Sequence, residues 1–313
     1  MVSEGESNWE LIVSRTFPSR TGGEYQWVDL EGSTVDEITE TAAKFKIHPL
    51  AVQAILEGEE RPRIQDFESH TFIVLQPLKH MDGDLEFGEL QVVLSKEWIL
   101  TFHKEACKEI GEVRKALESG SRAAAQGPDF LFYNILSHII DSYFTLTDSY
   151  QVRIDGLEES IFKPGPTTIL SQMLMLRRNV VGARRVISYT RELVATMLRE
   201  DFYDLDDQDE RYYRDAHFQL SHLLETFETY REFLADLRDS YMSMVSLSLN
   251  EVMKKLTVVG TIALPLIVVS GIYGMNVAGL PGIDNPLAGR AAIVGMLWFV
   301  VLIVAYFRKI RWL

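Results

Sequence analysis

Leu256-Thr257-Val258-Val259-Gly260-Thr261-Ile262-Ala263-Leu264-Pro265-Leu266-Ile267-Val268-Val269-Ser270-Gly271-Ile272-Tyr273-Gly274-Met275-Asn276 decides the fold of this 313-residue chain. No charge interrupts Leu256 to Ile283, and none interrupts Ala291 to Phe307. A bilayer core of roughly 30 Å needs about 20 apolar residues in helical form, fewer where aromatic and basic residues reach the interface. Tyr306, Trp312 and the neighbouring basic residues supply that flank, so the sequence predicts two C-terminal spans.

Working outward, Lys254 and Lys255 precede the first span, and Arg308, Lys309 and Arg311 follow the second. Basic residues stay on the cytoplasmic side, which predicts a multi-pass protein of the cell (inner) membrane with both termini cytoplasmic. The connector at 274–289 is then external, and it holds too many Gly and Pro residues to be helical. Pro265 removes one backbone donor from the first span and predicts a kink or a loosened turn, tolerable where neighbouring helices or water satisfy the freed carbonyl.

The composition breaks once, near Lys255, and the near-neutral mean hydropathy hides that break. Everything before it is charge-rich and reads as soluble protein. Met1 to Glu10 is acidic, with no basic or apolar leader segment, which predicts no signal peptide. A net charge of −14 attracts cations and argues against a nucleic-acid partner, because phosphate binding needs a basic face. Cys107 is the sole cysteine, which excludes an intrachain disulfide and a thiolate metal cluster within one chain.

Residues 9–13, 25–30, 71–75, 90–94 and 98–102 read as strands. Thr34, with Glu37 three residues on, predicts a capping box for a helix at 35–45. Helices at 48–57 and 105–119 complete an α/β domain over 1–122. From Asp129 the apolar residues Phe130, Ile135, Ile139, Ile140, Phe144, Leu157 and Ile161 recur at helical spacing. Pro164-Gly165-Pro166 then turns the chain into a second helix, giving an antiparallel hairpin over 128–200. A stalk helix over 205–273 follows and continues into the first span. From Glu210 to Tyr273 it extends about 95 Å, more than a monomer can bury, which calls for a bundle of several chains. Residues 290–313 form the second span and a basic tail.

Asn250, Met253, Thr257, Gly260, Leu264, Ile267 and Gly271 follow steps of three and four, the seam of helices supercoiled about one axis. With Leu256 beside them, they are the candidate pore lining. The seam holds no charge, His or Cys, so it lacks the ligands that Zn²⁺ and Cu⁺ favour. Carbonyl and amide oxygens suit a cation that keeps its water, as Mg²⁺ does. Met253, Leu256 and Leu264 could close by dewetting.

Asn250-Glu251-Val252-Met253-Lys254-Lys255-Leu256-Thr257, Pro265-Leu266 and Gly271-Ile272-Tyr273-Gly274-Met275-Asn276 closely resemble the CorA family of magnesium channels. The resemblance extends through Tyr213-Arg214-Asp215, Tyr230-Arg231 and Tyr241-Met242-Ser243, and faintly to Arg61-Pro62-Arg63. It implies a funnel-shaped homopentamer in membrane lipid, with an α/β cytoplasmic domain, a long helical stalk and two C-terminal transmembrane helices. It implies an external selectivity filter of Gly274, Met275 and Asn276, and passive uptake of Mg²⁺, with Co²⁺ and Ni²⁺ tolerated. It further implies regulatory Mg²⁺ held between subunits by Asp215 and a loop acid, either Asp82 or Asp84. Two features depart from the magnesium members. Val277-Ala278-Gly279-Leu280-Pro281-Gly282 stands where they carry an acidic loop, which resembles the zinc-transporting branch and keeps Zn²⁺ transport, with or without proton coupling, as the alternative. Ile267 stands where relatives place a hydroxyl.

No P-loop, nucleophile elbow or His-Glu-x-x-His motif occurs, and the seven histidines form no i, i+4 pair, so no enzyme activity is expected. No intramembrane Asp, Glu or His offers a proton relay.

Overall fold

The computed structural model describes residues 12–20, 24–58, 61–81, 84–118, 126–161, 168–199, 207–275 and 286–312. The chain divides into two compact units, Met1–Leu237 and Arg238–Leu313.

The first unit opens with β1 (Ile12–Pro18), β2 (Glu24–Glu31), α1 (Val35–Phe45) and α2 (Pro49–Glu57). Then come β3 (Arg63–Phe67), β4 (His70–Leu75), β5 (Leu78–Met81), β6 (Asp84–Phe87), β7 (Leu90–Leu94) and β8 (Trp98–His103). Six strands form one sheet in the order β1-β2-β8-β7-β4-β3. Only β2 and β8 run parallel, with Asp29 beside Thr101 and Glu31 beside His103. β5 and β6 make a separate two-stranded hairpin.

Strands β4 and β7 are buried throughout, as central strands covered on both faces must be. On one face Val28, Leu30, Phe72, Val74, Val93, Leu100 and Phe102 pack against Ala42, Ala51, Ala54 and Ile55 of α1 and α2. The α1 capping box forms as the sequence predicts: Glu37 N–H donates to Thr34 Oγ1 at 3.3 Å, and Thr34 N–H donates to the Glu37 carboxylate at 2.7 Å.

On the other side lie α3 (Lys108–Glu118) and the two long helices α4 (Pro128–Ile161) and α5 (Thr168–Met197). β1 starts at Ile12 and runs to Pro18, further than the expected strand, whose first residues, 9–11, lie outside the described residues. β3, β5 and β6 were not expected. Leu78-Lys79-His80-Met81 does not alternate, and Asp84-Leu85-Glu86-Phe87 alternates over only four residues, too short a run to stand out.

α6 runs from Asp207 to Tyr273 and passes from the first unit into the second. Pro265 leaves its helical course unbroken, although it cannot donate to the carbonyl of Thr261. In the second unit α7 covers Pro286–Lys309. Residues 286–289, expected in the connector, are therefore helical. Proline suits the first position of a helix, where its missing N–H has no partner to lose. Both apolar helices meet the length and composition needed to cross a bilayer.

Candidate ion pathway and acidic sites

Within the second unit, Asn250, Met253, Leu256, Thr257, Leu264, Ile267 and Gly271 are exposed, and Gly260 is partly so. Leu264 and Ile267 expose 64 % and 66 % of their surface, far more than a packed apolar side chain would. At Gly260 and Gly271 a Cβ would meet nothing within 4 Å. Nothing inside one protomer requires glycine there. What the two glycines do is keep this face of α6 low.

The seam hydroxyl of Thr257 is one-sided. Thr257 donates its hydroxyl hydrogen to the Met253 carbonyl at 2.8 Å, leaving only lone pairs to face outward. Water bound to a cation points its hydrogens away from the metal, so an acceptor-only hydroxyl suits a hydrated cation. The same step of three and four, carried back from Asn250, reaches Ser246, Ser243 and Asp239, all exposed. Ser243 likewise spends its hydrogen on the Asp239 carbonyl, at 3.0 Å. Asp239 gives the stripe its acid. The repeat that found the seam could have found it, had it been extended by three steps.

At the other end, Gly274 N–H caps the Ser270 carbonyl at 2.9 Å, and a Cβ on Gly274 would stand 3.0 Å from that oxygen. Met275 follows, exposed. Asn276 and the loop after it lie outside the described residues, as does Asp82.

Asp215 is exposed on α6 and accepts a hydrogen bond from Gln219 at 2.6 Å. Asp84, at the start of β6, accepts one from Arg178 of α5 at 2.5 Å and another from Leu85 N–H at 3.0 Å. The Arg178 hydrogen bond, then the Leu85 amide, hold its carboxyl below the usual range. No hydrogen bond or ion pair joins Asp215 to Asp84. Sequence spacing gave no sign of Arg178, which is 94 residues from its partner. Among the described residues no group of three or more His, Cys, Asp or Glu side chains is placed to hold a metal.

A family model described as "CorA-like Mg2+ transporter protein" matches residues 22–309. The chain belongs to the CorA family. The cobalt/magnesium transport protein CorA of Thermotoga maritima is 29% identical over 305 residues, covering 96% of this chain and 87% of the relative. The putative metal ion transporter YfjQ of Bacillus subtilis is 32% identical over 289 residues, covering 88% of each. The complete structure of the CorA magnesium transporter from Methanocaldococcus jannaschii superposes with a TM-score of 0.84 over 100% of both chains at 22% identity, a likeness of fold. This CorA chain is accordingly a membrane protein, with an α/β N-terminal domain, a long helix and two apolar C-terminal helices.

The first unit of this CorA-family chain also buries a charge network that sequence reasoning missed. Trp27 Nε1 donates to Thr101 Oγ1 at 3.1 Å, and Thr101 Oγ1 donates to Asp29 Oδ1 at 2.5 Å. Asp29 also accepts from His103 Nε2 at 3.1 Å and from Arg114 of α3. His103 Nδ1 faces the Glu105 carbonyl at 2.7 Å, so both ring nitrogens donate and the ring is an imidazolium. Burial works against both charges. The His103 hydrogen bond and charge, with the Thr101 hydrogen bond and the Arg114 charge, outweigh it and lower the Asp29 carboxyl, while the Asp29 partner raises His103.

Proposed function

We propose that this protein is a divalent-cation channel that admits Mg²⁺ passively, with Co²⁺ and Ni²⁺ tolerated. The observation that carries the proposal is the seam from Asn250 to Gly271. It is exposed in the protomer, free of charge, His and Cys, and furnished with acceptors. Such a lining offers nothing to strip a metal of water and much to hydrogen-bond its shell, which suits an ion that dehydrates reluctantly. That closely related proteins are named for cobalt and magnesium transport supports the same choice.

In this proposal the chains assemble as a homopentamer, with five copies of α6 around the pore and both termini in the cytoplasm. The Gly274-Met275-Asn276 segment forms the external filter. Met253, Leu256 and Leu264 form closable rings. Asp215 and a loop acid, Asp82 or Asp84, hold regulatory Mg²⁺ between neighbours. Losing that ion leaves like charges facing each other and drives the subunits apart.

The test is Mg²⁺ uptake into liposomes carrying the full chain, its Asn276→Ala variant or its Asn250→Ala variant. Both variants should slow uptake severalfold; unchanged uptake in both would overturn the assigned pathway. Zn²⁺ transport remains the second proposal because of the uncharged, glycine-rich segment Val277 to Gly282. Zinc flux that follows an imposed proton gradient, with magnesium flux absent, would establish it instead.

A further inference from the structure

The C-terminal end of α7 meets α6 beside Lys254, where α6 enters its apolar span, and the two carry a basic surface. Lys254, Lys255, Arg308, Lys309 and Arg311 gather there in a chain whose net charge is −14. Lys255 is spent on Glu251, at 2.9 Å. Glu251 also feels the charge of Lys254, while Arg308, Lys309 and Arg311 form no ion pair among the described residues.

The backbone fixes their arrangement. Arg311 takes a left-handed φ of 57°, which ends α7 and lets Trp312 N–H bond back to the Phe307 carbonyl at 2.9 Å. The turn stacks Trp312 on the buried Phe307 ring, 5.7 Å between centroids and 20° between planes. On α6, Lys254 Nζ stands 6.0 Å from the centroid of the Trp312 ring. An indole at this depth marks the headgroup level of a bilayer.

Directly along α7 from these cations, Trp298, Val301, Leu302 and Tyr306 are exposed. Three unpaired cations at the end of α7, with Lys254 near them and an apolar helix face alongside, fit an amphipathic anion, with its phosphate on the cations and its acyl chains along α7. Free phosphate would use only the first half of that surface.

We propose that this helix-end cluster binds the headgroup of an anionic phospholipid. The inference rests on the two spans and on the contact between Lys254 of α6 and Trp312 after α7, not on which ion the protein carries.

The test is native mass spectrometry of the full chain in detergent with phosphatidylglycerol or phosphatidylcholine at equal concentration. Wild-type protein should retain phosphatidylglycerol preferentially, and the preference should shrink from about 0.05 M to about 0.5 M salt. Arg308→Gln with Arg311→Gln should cost about fivefold in retention for each cation removed. Should that double variant fail to insert, Lys309→Gln alone keeps both arginines and should still lose about fivefold. Equal retention of the two lipids by wild-type protein, or a preference that no variant and no salt changes, would overturn the proposal. Release of the bound lipid by inorganic phosphate at matched concentration would also overturn it, by making the site one for a soluble anion.

Discussion

α6 carries two seams built on the same step of three and four, and they meet opposite fates. In the first unit Tyr213, Ala216, Leu220, Leu223, Phe227, Tyr230, Leu234 and Leu237 are all buried. Their polar ends are satisfied on α4: Tyr213 donates to the Asp129 carbonyl at 2.9 Å, and Tyr230 to the Thr147 carbonyl at 3.2 Å. In the second unit the seam from Asp239 through Asn250 to Gly271 is exposed, with small, polar and aliphatic groups in place of the rings. A heptad repeat states only that one face of a helix needs company. Side-chain bulk then separates a face filled by its own chain from one left for neighbours, lipid or a passing ion.

The harshest way to break the comparison is Phe227→Ala. Phe227 is fully buried, edge-on to Tyr150 at 5.9 Å, and its removal leaves a cavity costing about 3–5 kcal/mol. Leu264→Ala should change the unfolding of the protomer by less than about 0.5 kcal/mol while altering ion flux, because the protomer leaves 64 % of it exposed. Thermal unfolding of the two variants, read beside their Mg²⁺ uptake, checks both halves. Equal destabilisation would remove the distinction between the seams.

The next effect tests whether the first unit holds itself together independently of the pore seam. Asp29→Asn leaves the buried imidazolium without its counter-charge and should cost about 3 kcal/mol. The pH dependence has two limbs. Asp29 has a lowered folded value, so its contribution is present above the ordinary 3.8 and is lost as pH falls through the folded value. His103 has a raised folded value, so its contribution is complete below the ordinary 6.5 and is lost as pH rises through the folded value. Glu31 also favours the imidazolium. Melting temperature against pH should therefore peak between the two limbs, and His103→Gln should flatten the alkaline one.

Much of this was legible in the sequence because it was periodic or local. The helix at 35–45 carries its capping box within four residues, and the charge-free spans need only counting. The seam from Asn250 to Gly271 came from a repeat. β3 and β5 lacked a clean alternation, and that of β6 spans only four residues. The Asp29–His103 pair depends on the one parallel pairing in the sheet and joins residues 74 apart. No local pattern could supply it.

A smaller effect sharpens the exposed side of the comparison. Asn250→Ala removes an exposed amide from the seam and should slow Mg²⁺ uptake about tenfold, equivalent to ~1.4 kcal/mol, with the melting temperature unchanged. Loss of stability in place of flux would mean that Asn250 is packed in the assembly rather than wetted.

The smallest effect concerns Asp84, because its arginine competes with any metal for the same oxygens. Arg178 and Asp84 are both solvent-exposed, so Arg178→Gln should leave melting nearly unchanged. If Asp84 is the loop ligand, removing the guanidinium raises its affinity for Mg²⁺, and less Mg²⁺ then suffices to protect the cytoplasmic domain from protease. Asp84→Asn should move the requirement the other way. If Asp82 is the ligand, Arg178→Gln leaves the Mg²⁺ requirement where it was, since the guanidinium then neutralises a carboxylate that the metal never uses. The pair of variants thus separates two acids that the sequence left equivalent, through a contact visible only once α5 and β6 are placed side by side.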